Sequence, residues 1–186
     1  ECTDHESLAA SNDKKSIEEL EEHRKNAITK LGENIVIRRF KKFSSDDGHI
    51  TGYTHNNKIG SVVILENENN SLGKDICMQI VASNPLSLDQ ESMDKSVLAS
   101  EKEIFKSELD KLDKKEDIKR NILEGKIKKF IIENTLLDQP FIKDNALSLR
   151  KILENNAIKF FLRFQLGEGL EKKNDDFAKE VYSQIK

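Results

Sequence analysis

The chain has 186 residues, of which 35% are charged and 36% hydrophobic, and its formal net charge is −3. A chain of this length forms one domain or two small ones, here with a modest core and a highly charged surface. The interleaved acidic and basic residues argue against a dedicated nucleic-acid binder, which normally has a basic excess. No apolar run approaches the roughly 20 residues of a membrane span, and no signal peptide opens the sequence.

The two cysteines, Cys2 and Cys77, stand far apart and lack metal-ligand spacing. We therefore expect neither a disulfide framework nor a zinc site, and a reducing compartment is the natural setting. The sequence begins with Glu1 rather than Met, which indicates a fragment or a processed protein.

The first predicted element is an amphipathic helix. Ser16–Glu19 is a capping box, in which the serine side chain accepts from a backbone N–H three residues on, so we expect the helix to begin at this serine. Apolar residues recur on one face up to Leu31, and Gly32 ends the helix because glycine readily adopts positive φ. The polar corner Gly32–Asn34 follows. Such a corner can present groups to a partner, although most short connections only join two elements.

Three strand-like runs come next: Ile35–Phe43, His49–His55 and Ile59–Leu65. The third run is the most apolar, which predicts a central position in the sheet. Asn56-Asn57 suits a hairpin turn, so the three runs are interpreted as an antiparallel meander. A helix from about Leu72 then ends before Pro85, because proline disfavours helix in the preceding residue. Helix, three strands and helix indicate an α+β layer with helices covering a sheet.

A helical hairpin is predicted after the linker Ser87–Asp94. Charged helices with narrow apolar seams run from about Val97 to Leu112 and from about Ile118 to Ile131. One long unbroken helix is the alternative, because the joint contains neither glycine nor proline. The second helix also carries a group of basic residues: Arg120, Lys126, Lys128 and Lys129. This group could face RNA, but the interleaved acidic residues favour a solvated face.

The remaining sequence predicts an extended segment at Asp138–Ile142, a short helix at Leu149–Leu153 and a strand at Ile158–Leu166. The strand prediction rests on a clean alternation, with one face formed by Ile158, Phe160, Leu162, Phe164 and Leu166. The glycines of Gly167–Gly169 indicate a turn rather than a phosphate cradle. A last helix begins near Asp175 or Asp176 and carries its apolar residues on one face: Phe177, Val181 and Ile185.

The predicted organisation has four parts. Residues 1–88 form an N-terminal core subdomain, 89–137 the helical hairpin, 138–170 the remainder of a C-terminal core subdomain, and 171–186 a C-terminal helical module. The predicted fold class is α+β, with two small subdomains that each have an antiparallel sheet covered by helices, a projecting antiparallel hairpin and a C-terminal helix.

No catalytic constellation is apparent. The four histidines, His5, His23, His49 and His55, have neither cysteine nor an acidic pair converging on them by sequence. His49 and His55 can share a strand face, but surface positions are the simpler interpretation. Because there is no nucleophile elbow, P-loop or HExxH motif, the residues indicate a binding protein rather than an enzyme.

Several strings, in order along the chain, resemble the motifs of the translation elongation factor Ts family. They are Lys30–Ile35 followed by Ile37-Arg38-Arg39, Tyr53-Thr54-His55, Met78–Pro85, Leu123–Phe130, Leu137–Ile142, and Arg163-Phe164 with Gly167-Glu168-Gly169. Each string is weak alone, whereas the ordered set is specific and extends over nearly everything from Ile17 to Ile185.

This resemblance implies two α+β subdomains with the hairpin projecting from the second, and it implies no enzyme and no cofactor. It implies a nucleotide exchange factor that binds the GTPase elongation factor Tu and promotes GDP release, without direct contact to nucleic acid or membrane. The bacterial cytoplasm fits better than an organellar matrix, because nothing resembles a transit peptide. The hairpin, Val97–Leu137, would serve self-association in members that dimerise. The implied partner-binding residues are Leu31, Gly32, Glu33, Asn34, His55, Phe177 and Val181.

One departure from the family concerns a Thr-Asp-Phe-Val-Ala string, whose phenylalanine wedges into the GTPase. Here Thr3-Asp4 is followed by His5-Glu6 and lies too close to Gly32 to be that string. We therefore interpret the wedge and the N-terminal helical module as absent from this sequence, and expect weak binding and poor exchange. The alternative function, from the lysine-rich hairpin alone, is a charged scaffold or RNA-associated adaptor.

Overall fold

A computed structural model describes residues 14–169, in two compact units that divide between Ser44 and Ser45. Within the first unit, α1 (Lys14–Leu31) is followed by an irregular segment. The predicted start of this helix at Ser16 is wrong, since Lys14 and Lys15 are already helical. Lysine has a higher helix propensity than serine, so the local capping preference does not set the boundary here.

The predicted strand Ile35–Phe43 is also wrong. The described residues 32–44 contain no strand, and Phe40 alone takes part in an isolated bridge. β-branched residues fit a pleated, half-buried surface but do not by themselves impose an extended ladder. The run therefore stays irregular in spite of its composition.

The second unit begins with a short 3-10 turn, Ser45–Asp47, and continues into a hairpin of β1 (His49–His55) and β2 (Ile59–Leu65). Both strands have their predicted bounds, and the two pair antiparallel. Asn56 and Asn57 adopt φ of 49° and 54°, which matches the positive φ at both central residues of a type I′ hairpin turn.

The helix α2 (Asn70–Ser83) covers one face of this sheet. Asn69 caps its start by accepting from the Leu72 N–H at 3.0 Å, and Asn84 ends it in the left-handed region with φ 46°. The Ser61 hydroxyl donates to the Cys77 carbonyl at 2.9 Å and so joins β2 to the helix. The prediction of a helix ending at Asn84-Pro85 is confirmed.

The hairpin is confirmed as two helices, and the alternative of one unbroken helix is wrong. The helices are α3 (Lys95–Asp110) and α4 (Glu116–Asn134). Phe105 of α3 packs edge-to-face against Phe130 of α4, with the ring centroids 6.4 Å apart. A salt bridge between Glu108 and Lys126 lies beside that pair, so residue numbers run in opposite directions along the two helices.

The chain then forms a second, two-stranded sheet of β3 (Pro140–Phe141) and β4 (Asp144–Ser148), the short helix α5 (Leu149–Ile152), and β5 (Ile158–Gln165). The first sheet has the order β1-β2-β5, so β2 is central as predicted, but its third strand is β5. The main core joins residues from both sheets and their helices: Val63, Leu65, Ile76, Cys77, Ile80, Leu136, Phe141, Leu149, Leu153 and Ile158. The predicted subdomain boundaries stay predictions, and the predicted helix within 171–186 lies outside the described residues.

The predicted apolar face of β5 is wrong in one respect, because Phe161, which lies outside that face, also packs against the core. The register between β2 and β5 shifts between Ile64 and Leu65, so Leu65 pairs with Ile158 while Val63 pairs with Phe161. Ile158 belongs to the core and Phe161 packs against it. A bulge of this kind moves the side chains beyond it to the other face, which strict alternation cannot anticipate.

No helix within residues 14–169 is long and apolar enough to cross a membrane.

Candidate partner-binding surfaces

The first candidate surface is the corner, residues 31–34. Leu31 is the last residue of α1 and 67% exposed, which is high for a large apolar side chain. Gly32 has φ +72°, and its N–H donates to the Ile28 carbonyl at 2.8 Å. This is the left-handed glycine with which many helices end. A Cβ placed on Gly32 would have no heavy atom within 4 Å, so glycine is favoured here by backbone conformation and not by crowding.

The corner combines three kinds of recognition group. Glu33 and Asn34 are exposed beside Leu31. They offer a carboxylate and a carboxamide next to the exposed apolar side chain of Leu31. Protein-binding sites commonly combine an apolar anchor with polar groups at its rim, and the corner offers groups of both kinds. The corner therefore has the chemistry to bind another protein.

Sequence reasoning missed Arg24, which holds the far end of the corner. Its Nη1 donates to the Ile35 carbonyl at 3.2 Å, and its Nε donates to the Glu21 carboxylate at 3.0 and 3.2 Å. A signal was present, because Arg24 stands four and seven residues before Ile28 and Leu31. It is thus a charged residue on the apolar face of the helix.

The second candidate surface lies at the turn between β1 and β2, in the second unit. His55 is exposed at the end of β1, and both of its ring nitrogens have neighbours. The Asn56 Nδ2 is 3.2 Å from Nε2, and the Tyr53 hydroxyl is 3.3 Å from Nδ1. Both neighbours can form hydrogen bonds with the ring, and the donor and acceptor roles of its two nitrogens depend on the tautomer. The imidazole is therefore held in one orientation at the surface.

The predicted site residues are thus distributed over two units. Leu31, Gly32, Glu33 and Asn34 form the contiguous corner of the first unit, and His55 belongs to the second. Phe177 and Val181 lie outside the described residues.

Several charges on the hairpin form salt bridges within it. Lys126 forms a salt bridge with Glu108, and its ammonium lies 5.0 Å from the centroid of the Phe105 ring. Lys129 lies 3.7 Å from a Glu133 oxygen. Two members of the basic group singled out in the sequence are therefore neutralised locally, which favours a solvated face over an RNA-binding surface.

Neither metal nor nucleophile chemistry is indicated in the part of the chain that the structure describes. Residues 14–169 contain no group of three or more His, Cys, Asp or Glu side chains that could hold a metal ion. Cys77 is fully buried, and its burial raises the pKa of the thiol, partly offset by the Ser61 hydroxyl. A raised pKa disfavours the thiolate, which is the reactive form.

Fold and surfaces together define a mixed α+β protein that presents exposed groups for recognition. A family model described as Elongation factor TS matches residues 1–168. The chain therefore belongs to the elongation factor Ts family, as the ordered motifs predict.

Curated relatives are consistent with this assignment. The chain is 41% identical over 169 residues to elongation factor Ts of Methylococcus capsulatus, which covers 90% of this chain and 58% of that protein. It is 41% identical over 204 residues to elongation factor Ts of Clostridium acetobutylicum, with 96% and 67% covered. For Thioalkalivibrio sulfidiphilus the identity is 41% over 170 residues, with 90% and 58% covered. The match thus spans 58% to 67% of these relatives' own length.

Proposed function

We propose that this chain acts in translation elongation as a guanine nucleotide exchange factor, which binds elongation factor Tu in its GDP form and promotes GDP release. Membership of the elongation factor Ts family carries this proposal. The exposed corner at residues 31–34 supports it, since the family's Gly-Glu-Asn motif falls on exposed residues here and not in the core.

Exchange of this kind needs binding alone and no enzyme chemistry. If the chain binds nucleotide-free elongation factor Tu more tightly than the GDP form, linkage requires that GDP affinity falls by the same factor. A typical coupling of 1–3 kcal/mol would lower GDP affinity about 5- to 150-fold. Contact with the GTPase would disturb the magnesium and phosphate surroundings of GDP. The chain itself needs no cofactor for this role.

The proposed contacts have different characters. Leu31 supplies an apolar anchor, whose full burial is worth roughly 1.5–3 kcal/mol. Glu33 and Asn34 supply polar contacts at its edge, and His55 offers an oriented imidazole. Phe177 and Val181 are proposed as a further apolar contact.

We also propose the bacterial cytoplasm as location, elongation factor Tu as partner, and no direct contact with nucleic acid. Self-association through α3 and α4 is a second proposed role for the hairpin. Its exposed apolar residues, Ile104 and Ile118, are 50% and 46% exposed and would be available for that purpose. The paired lysines give no support to the RNA-adaptor alternative.

The test measures release of fluorescent GDP from the cognate elongation factor Tu, together with the dissociation constants for its GDP and nucleotide-free forms. We expect a complex that tightens when GDP and magnesium are removed. We also expect slower exchange than with a family member that carries the Thr-Asp-Phe-Val-Ala wedge. Equal affinity for both forms would refute the exchange role, and release as fast as with the wedge-bearing protein would refute the expected impairment. Retention on RNA with steep salt dependence would support the adaptor instead.

A further inference from the structure

We propose that Arg24 is a positioning residue for partner recognition. Its guanidinium ties α1 to the chain directly after the corner, and so fixes the conformation in which residues 31–34 meet their partner. The proposal rests on the proposed function, because it assigns Arg24 a role in the same binding surface.

The guanidinium of Arg24 is held on two sides by different acceptors. Its Nε and Nη2 face the Glu21 carboxylate, with Nη2 2.9 Å from Oε2, while Nη1 donates to the Ile35 carbonyl at 3.2 Å. The side chains of Arg24 and Glu21 are only 20% and 26% exposed. Arginine can bridge two acceptors in this way because its donors form a rigid planar fork, which lysine lacks.

The corner is therefore anchored at both ends. At the near end, the Gly32 N–H donates to the Ile28 carbonyl at 2.8 Å. At the far end, Ile35 lies outside any helix or strand. Its carbonyl accepts a hydrogen bond from the Arg24 side chain, as it would from a neighbouring backbone N–H in a sheet. Between the anchored residues Gly32 and Ile35 lie only Glu33 and Asn34. Loss of the far anchor would release the residues whose side chains are proposed to make the contact.

Arg24 acts through geometry rather than by direct contact. Its charge is compensated by Glu21 at hydrogen-bond distance, and its donors point to acceptors within the same unit. Without the bridge, the corner would have to be ordered on binding, and the cost of ordering backbone and side chains lowers affinity. We expect a loss of about tenfold, since immobilising one or two further groups costs on that order.

The experiment compares Arg24→Ala, Arg24→Lys and the control Lys25→Ala. Lys25 is an exposed neighbour on the same helix, so its removal takes away the same charge without touching the bridge. Two quantities are measured for each variant in the full chain. One is the backbone NMR order parameter at Glu33, Asn34 and Ile35 in the free protein, which reports how well the corner is ordered. The other is the dissociation constant for nucleotide-free elongation factor Tu.

We expect lower order parameters at these residues and about tenfold weaker binding for both Arg24 variants, with Lys25→Ala within about twofold of the unaltered chain. In the background of Asn34→Ala, the loss caused by Arg24→Ala should shrink, because a positioning residue acts through the groups it positions.

Unchanged affinity of Arg24→Ala would overturn the proposal, and so would full rescue by Arg24→Lys or strictly additive effects with Asn34→Ala. These results all presuppose that the unaltered chain binds. If it does not bind, the proposed function is refuted and the binding role of Arg24 with it, while the order parameters still report whether Arg24 orders the corner.

Discussion

Replacing Gly32 by valine should weaken partner binding without introducing a clash. Gly32 has φ +72°, and a Cβ at this position would meet nothing within 4 Å. The cost is therefore conformational, about 1–2 kcal/mol for a residue with a Cβ in the left-handed region. A β-branched residue such as valine is a stronger outlier there than most.

This cost can appear in two ways. The valine variant can keep the left-handed conformation, which lowers the free energy of unfolding, or its exposed corner can relax to negative φ in the free state. Relaxation must be reversed on binding, so 1–2 kcal/mol then appears as roughly 5- to 30-fold weaker affinity. We expect relaxation to dominate, because Gly32 and the two residues that follow it are irregular and exposed.

Isothermal titration against nucleotide-free elongation factor Tu measures the affinity, and thermal unfolding of the same variants measures stability. Gly32→Asn is the matched control, since asparagine tolerates the left-handed region and its side chain has open space at this position. Its affinity should stay within about threefold of the unaltered chain. If the valine variant binds as tightly as the asparagine variant, the corner is not part of the interface in the conformation seen here.

Three further predictions concern the second unit. Gly73→Ala in α2 should lower the free energy of unfolding by about 1–3 kcal/mol in denaturant titrations, because the new Cβ would lie 2.5 Å from the Thr51 Oγ1 and 2.9 Å from its Cβ. Gly125→Ala in α4, where nothing lies within 4 Å, should instead be neutral or stabilise by up to about 1 kcal/mol, and equal effects of the two would contradict this packing. Burial raises the pKa of the Cys77 thiol above its ordinary 9.0, so the folded state favours the protonated thiol. The free energy of unfolding should therefore fall as pH rises above 9.0, where the unfolded state loses this proton more readily. In Cys2→Ser, Cys77 should react with iodoacetamide only as fast as the protein unfolds, and rapid labelling of the native protein would show that it is accessible.

The parts of the fold that were predictable from sequence are those governed by neighbouring residues. The bounds of β1 and β2 follow from alternating residues around Asn56-Asn57, and both asparagines adopt the positive φ that such a turn requires. The end of α1 at Gly32 follows from the conformational freedom of glycine. In each case the residues that decide the structure lie within a few positions of one another.

What could not be predicted depends on pairing over long distances. Ile35–Phe43 has the composition of a strand but no ladder in the described segment, whereas β5 pairs with β2 from about one hundred positions away. The register shift opposite Ile64 then decides which β5 residues face the core. The role of Arg24 is not predictable in this way, because a charged residue on an apolar helix face does not reveal its acceptor, the Ile35 carbonyl.

The corner alone would make this chain a binder rather than an exchange factor. Only contacts that are stronger with nucleotide-free elongation factor Tu than with its GDP form can lower GDP affinity. Gly32 and Arg24 preorganise the corner in the free protein, before it binds either the GDP form or the nucleotide-free form of elongation factor Tu. The corner therefore contributes nearly equally to the affinity for the two forms. We therefore expect discrimination to come from contacts of this chain outside the corner that reach the nucleotide surroundings of the GTPase. It follows that Gly32 and Arg24 variants should change both dissociation constants while leaving their ratio nearly constant.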